Sequence, residues 1–206
     1  EMDRRDLLKM IAASTGAAFV GSNAMAWGLK VPATDPSKVG LSKDDISLMS
    51  EVAETIMPRT DTPGAKDAQC AQMMAVLVAD CYTPVQQQAF KDGLRKLNLA
   101  SDERFDTPFL VLSNAQRFEL LTELDAEAKK YNAERNLWGA VNQRPNSRDA
   151  DDTDPLPHYF TMFKQLTLFT FFTSEVGATK VLRYVGIPGK FDGDLPYEKG
   201  DRAWAT

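Results

Sequence analysis

The chain has 206 residues, 43% hydrophobic and 26% charged, proportions that exclude a collagen-like, mucin-like or wholly disordered polypeptide. Its 24 lysines and arginines stand against 29 aspartates and glutamates, a net charge of −5, so the basic footprint of a nucleic-acid binder is missing. A chain of this size buries roughly 70% of its unfolded surface. It therefore needs no covalent staples, and two cysteines could not make a disulfide scaffold. No uninterrupted apolar run is long enough to cross ~30 Å of hydrocarbon, which argues against a multi-span membrane protein.

Residues 1–30 have the order of an export signal. Arg4, Arg5, Leu7, Leu8 and Lys9 form a charged start, a weakly apolar stretch rich in Ala and Gly follows, and Ala24-Met25-Ala26 supplies an Ala-x-Ala cleavage site. The paired arginines followed by two leucines and a lysine resemble a bacterial twin-arginine signal. Such signals move proteins that are already folded, often with a cofactor or partner aboard. An ordinary amphipathic helix is the competing expectation, and retention of the segment as an anchor would bring membrane contact.

Residues 31–185 read as a helical domain. Ser42 with Asp45 three residues on has the form of a capping box, Ile46, Met49, Ala53 and Ile56 lie at helical spacing, and Pro58 ends the helix. Arg59 to Gly64 is a turn-rich loop in which Arg59, Asp61 and Lys66 could form a polar cluster. A second helix is expected over about Lys66 to Tyr82 with Met73, Leu77 and Cys81 on one face. Thr83-Pro84 starts a third through Phe90, Leu94 and Leu97, which Asp106-Thr107-Pro108 breaks. Ser113 and Gln116 cap a fourth carrying Phe118, Leu121, Leu124, Ala128 and Tyr131. No segment alternates apolar and polar residues at strand spacing, so the expected fold is all-α, a small helical bundle.

Arg144 to Pro157, with Asp149, Asp151, Asp152 and Asp154, is expected to be an exposed loop, because burying several unpaired carboxylates is prohibitive. The composition then changes abruptly. Tyr159, Phe160, Phe163, Leu166, Leu168, Phe169, Phe171 and Phe172 crowd a helix that is apolar nearly all round. Such a helix is buried on all sides, at the centre of its bundle or partly against another chain.

Residues 186–206 are too rich in Gly and Pro for a helix, yet carry Phe191, Leu195, Tyr197 and Trp204. Disordered tails are poor in aromatics, so this segment is expected to be an extended arm with its aromatics anchored on a surface, its own or another chain's.

The residue patterns that chemistry requires are sparse. There is no glycine-rich dinucleotide or phosphate loop and no Cys-x-x-Cys-His for a covalent haem. The lone histidine, His158, cannot build a multi-histidine metal site and sits at a helix start, where packing is the default role. Cys70 and Cys81 are three helical turns apart, ~16 Å on one straight helix. A disulfide needs about 7 Å or less. Each cysteine is expected to be a small buried group, with an intersubunit bond as the alternative.

Three stretches carry a resemblance: Arg4-Arg5 with the weakly apolar run behind it, Glu54-Thr55-Ile56-Met57-Pro58-Arg59-Thr60-Asp61-Thr62-Pro63-Gly64-Ala65, and Phe172-Thr173-Ser174-Glu175-Val176-Gly177-Ala178-Thr179-Lys180-Val181-Leu182-Arg183-Tyr184 through Gly200-Asp201-Arg202-Ala203-Trp204. Together they resemble the gluconate 2-dehydrogenase subunit 3 family over essentially the whole chain, though the helical middle is generic. The resemblance implies a small subunit without a cofactor of its own. Its companion would be a large FAD-containing flavoprotein of the glucose-methanol-choline type that oxidises a sugar, sugar acid or glycoside, in many cases with a c-type cytochrome carrying haem c. The small subunit would lend its twin-arginine signal to the large one, placing both in the periplasm, at or near the inner membrane. The family's arm often has a cysteine near the position of Asp194, and any bond it makes is absent here.

The residues expected to touch the partner are Phe172, Ser174, Glu175, Lys180, Arg183, Tyr184, Phe191, Tyr197 and Trp204. Two alternatives stand beside this expectation. One is a membrane-tethered binding module without a dehydrogenase partner. The other is a stand-alone periplasmic enzyme with a site near His158 and the acidic loop.

Overall fold

Helix starts in this chain are set by side chains that accept the first free backbone N–H groups. In the computed structural model, which describes residues 35–137, 155–187, 189 and 193–205, three starts are complete capping boxes. Ser42 with Asp45 opens α1 (Lys43–Ile56), Thr83 with Gln86 opens α3 (Pro84–Phe105), and Ser113 with Gln116 opens α4 (Asn114–Glu134). The remaining α-helices among the described residues are α2 (Cys70–Cys81) and α5 (Tyr159–Phe172). Short 3-10 turns at Pro36–Val39 and Phe109–Val111 precede α1 and α4, and a π turn at Gly177–Val181 follows α5. The described residues form an all-helical bundle.

Two sequence expectations about α2 are corrected. The helix begins at Cys70 rather than near Lys66, because Gln69 takes a left-handed conformation and Ala65 to Gln69 form successive turns. Its buried face is Cys70, Ala71, Met74, Ala75 and Val78, while Met73 and Cys81 are exposed and Leu77 is half-buried. A short helix rich in Ala and Met presents apolar residues on more than one face, so spacing alone does not select the face that packs. On α4 likewise Leu120, Leu121, Leu124 and Ala128 are buried, whereas Phe118 is exposed.

Helix α5 is the axis of the bundle and packs against each of α1, α2, α3 and α4. Phe160, Phe163, Leu166, Thr167, Thr170 and Phe171 are buried in it, and Phe90 of α3 meets Phe163 edge-on with ring centroids 4.8 Å apart. Its two buried threonines return their hydroxyls inward, Thr170 to the Leu166 carbonyl at 2.7 Å and Thr167 to the Met74 sulfur at 3.7 Å. That satisfies groups whose orphaning would cost about 1–3 kcal/mol each.

Register between helices comes from polar contacts. Lys164 meets Asp125 at 2.7 Å and Asn132 donates to the Thr161 hydroxyl at 2.9 Å, so α4 and α5 run antiparallel. The Cys70 thiol lies against Thr170, and Met74 lies against Thr167, so α2 and α5 are antiparallel as well. One end of the bundle therefore gathers the start of α2, the start of α4 and the finish of α5. Arg117 of α4, reaching Glu51 of α1, adds the finish of α1 to it.

Candidate functional site

The loop between α1 and α2 lies at that end and is built around two carboxylates. Glu54, on the last turn of α1, accepts the Arg59 backbone N–H at 3.0 Å with one oxygen and the Lys66 N–H at 2.8 Å with the other. Asp67 accepts the Gly64 N–H at 2.9 Å and the Arg59 Nε–H at 2.8 Å. Ala65 donates its N–H to the Met57 carbonyl at 2.8 Å, closing the loop on itself. A Cβ at Gly64 would stand 2.5 Å from the Arg59 nitrogen and 2.7 Å from a Glu54 oxygen, so only glycine fits the cradle.

Beside the loop, Glu51 takes the Lys66 ammonium at 2.7 Å and the Arg117 guanidinium. Burial pushes the Glu51 carboxyl up, but the two cations outweigh it and hold the group below its ordinary value. Arg117 spends its other donors on the carbonyls of Phe109 at 3.3 Å and Leu110 at 2.8 Å, fixing the 3-10 turn before α4. Glu51, Glu54, Pro58, Arg59, Arg117 and Phe118 are among the residues lining an open pocket of about 390 Å³, over which Phe118 is 65% exposed. Of the three residues the sequence suggested as a cluster, Arg59 and Lys66 belong to this network, and Asp61 pairs with the Thr60 hydroxyl at 2.9 Å. Sequence spacing did not name Glu51 or Asp67. The available signal was a carboxylate one turn before a Pro- and Gly-rich loop, within reach of that loop's free N–H groups.

The segment after α5 is equally constrained. Ser174 donates its hydroxyl to the Phe171 carbonyl at 2.6 Å and accepts the Gly177 N–H at 2.9 Å. A Cβ at Gly177 would stand 2.0 Å from that same carbonyl oxygen, and the Leu182 N–H reaches back to the Gly177 carbonyl at 2.9 Å to close the π turn. Arg183 then pairs with Trp204 in an isolated parallel bridge. Ser174, the Lys180 carbonyl, Arg183 and Trp204 make contacts inside their own chain, although Lys180 and Trp204 are also exposed. Phe172, Glu175, Tyr184 and Tyr197 are exposed, as are Phe169, Val185, Ile187 and Leu195. Phe191 and the signal residues Arg4, Arg5, Leu7, Leu8, Lys9, Ala24 and Ala26 lie outside the described residues, as does most of the acidic loop.

His158 is at the opposite end and caps α5. Its Nδ1 accepts the Phe160 N–H at 3.3 Å, its own N–H goes to Asn132 at 3.0 Å, and Nε2 faces Glu127 at 3.6 Å. Burial pushes its pKa down; Glu127 opposes this and Lys96 adds to it. The ring is packed between Tyr131 and Tyr159, and it is the chain's one histidine. Cys81 is exposed, against the expectation of two buried cysteines; Cys70 is buried, its thiol pushed up by desolvation, and both are free. Among the described residues no group of three or more His, Cys, Asp or Glu side chains is placed to hold a metal ion, and no helix is long and apolar enough to cross a membrane.

A family model described as Gluconate 2-dehydrogenase subunit 3 matches residues 43–189, which takes in the Glu54 to Ala65 loop and the Phe172 to Tyr184 segment but stops short of Gly200 to Trp204. No curated protein and no solved structure matches the chain.

Proposed function

Because this chain belongs to the gluconate 2-dehydrogenase subunit 3 family, we propose that it is a non-catalytic small subunit that binds, stabilises and escorts a larger dehydrogenase. The partner is a flavoprotein of the glucose-methanol-choline type whose FAD oxidises a sugar, sugar acid or glycoside, such as gluconate, glucose or a glucoside at its third carbon. A c-type cytochrome completes the assembly and draws the electrons off. Arg4 and Arg5 direct the folded pair through the twin-arginine route to the periplasm.

The observation that carries the proposal is the family match over residues 43–189. The loop after α1 and the finish of α5 lie at the same end of the bundle. Around that end and the segment behind it, Phe118, Phe169, Phe172, Tyr184 and Ile187 are apolar and exposed, while Phe160, Phe163 and Phe171 already fill the core. A subunit interface of the obligate kind, above ~2,000 Å² and anchored by aromatics, would bury such residues.

Affinity purification of the full chain from its own cells, followed by native mass spectrometry, tests this. A large partner carrying FAD is expected. Substrate turnover by the chain alone would overturn it. Changing Arg4 and Arg5 to Lys should leave both proteins in the cytoplasm, and export of the pair despite that change would remove the escort role.

A further inference from the structure

Arg183 and Trp204 stand twenty-one residues apart, and the structure spends them on each other. Arg183 donates its N–H to the Ala203 carbonyl at 2.8 Å, and its own carbonyl accepts the Ala205 N–H at 2.8 Å. The Arg183 guanidinium lies over the Trp204 ring, 4.6 Å from its centroid, while Nε donates to the Arg202 carbonyl at 2.7 Å. Arg202 returns the contact by donating to the Lys180 carbonyl at 2.8 Å, on the π turn that Gly177 and Ser174 hold. Asp201 sits 3.8 Å from the same guanidinium. The clasp thus ties residues 201–205 to the segment that follows α5.

Between its two jaws the described apolar side chains face outward. Ile187 is 88% exposed and Tyr197 75%, with Tyr184 and Leu195 beside them in the chain. We propose that the Arg183–Trp204 clasp holds the described residues beside it as a preformed hook, that the partner buries Tyr184, Ile187, Leu195 and Tyr197, and that Arg183 and Trp204 act by positioning those residues. The inference rests on the subunit role proposed above, and the occupant is the apolar surface of the large flavoprotein. Two points favour that occupant over a second copy. The family is defined as one subunit of a dehydrogenase assembly. The hook also grows out of the Phe172 to Tyr184 segment, so it continues the bundle end already rich in exposed aromatics. Ordering a free segment during association is a cost that a hook closed in advance avoids, and that saving is the clasp's contribution.

Hydrogen exchange on the free, full chain reads the clasp directly. The Arg183 and Ala205 amides should be protected, and the protection should vanish in Trp204→Ala. Binding to the co-purified flavoprotein, identified by mass spectrometry, reads the consequence. Trp204→Ala and Arg183→Ala should each weaken binding roughly tenfold, with the double variant no worse than either alone. Tyr197→Ser should leave both amides protected and speed dissociation. Unprotected amides in a free chain that binds tightly, or fully multiplicative losses for the two clasp variants, would overturn the hook while sparing the subunit role. Protected amides in a chain that binds no flavoprotein would overturn the subunit role and the docking it implies. Self-association abolished by Tyr197→Ser would overturn the choice of occupant.

Discussion

The Arg117 guanidinium meets the Glu51 carboxylate across sixty-six residues of sequence, and by doing so fastens the start of α4 to the finish of α1. Arg117 also carries the carbonyls of Phe109 and Leu110, so one side chain organises a helix, a turn and a neighbouring helix. Replacing it with Met keeps much of the packing but takes a partner from all three acceptors, leaving Glu51 with Lys66, the Phe109 carbonyl with the Leu112 N–H and the Leu110 carbonyl to solvent. The expected loss is about 2 kcal/mol of unfolding free energy, read from urea denaturation with an unchanged slope. Glu51→Gln, which keeps shape and hydrogen bonding but removes the charge, should cost less.

Acid should separate two transitions. Glu51 is held below its ordinary 4.5, so its contribution is complete above that pH and fades as pH falls through the lower folded value. His158 is held below its ordinary 6.5, so the unfolded chain takes up a proton first and stability declines as pH falls below 6.5. A protonated Nδ1 could not accept the Phe160 N–H either. The melting temperature of the wild type should therefore already drop between pH 7 and pH 5.5, a range bracketing that ordinary value. In His158→Asn, which supplies a cap that does not titrate, the drop over the same range should shrink. A pH profile unchanged by the substitution would refute the assignment.

Two glycines predict unequal damage. Gly64→Ala pushes a methyl into the Arg59 nitrogen and the Glu54 carboxylate, one of which can swing away, so a loss of about 1–3 kcal/mol is expected. Gly177→Ala meets the fixed Phe171 carbonyl at 2.0 Å and must deform the π turn. It should destabilise more than Gly64→Ala in thermal melts followed by circular dichroism.

Aromatic residues of the same type should divide cleanly by location. Phe163→Ala, fully buried at the Phe90 contact, is expected to cost about 3–5 kcal/mol. Phe169→Ser and Phe118→Ser, both exposed, should stay within about 0.5 kcal/mol of wild type in denaturant. Their effect should appear instead as weaker capture of the large flavoprotein in pull-downs.

Much of the bundle was legible because its signals are local. A capping box needs only a hydroxyl and a carboxylate or amide three residues on, and Ser42, Thr83 and Ser113 each begin a helix as their neighbours dictate. The aromatic run after His158 read as a helix buried in its bundle or partly against another chain, and Phe160, Phe163 and Phe171 are buried while Phe169 and Phe172 are exposed. The family motifs were legible for the same reason, being contiguous. What tertiary structure alone decided is which apolar face packs and which polar groups meet. On α2 either stripe satisfied helical spacing, and contact with α5 chose Met74 over Met73. Glu51 with Arg117, Glu54 with Lys66 and Arg183 with Trp204 pair groups twelve to sixty-six residues apart. No periodicity records such pairs, since they exist only once the helices have docked and desolvation has made each unpaired charge or carbonyl costly.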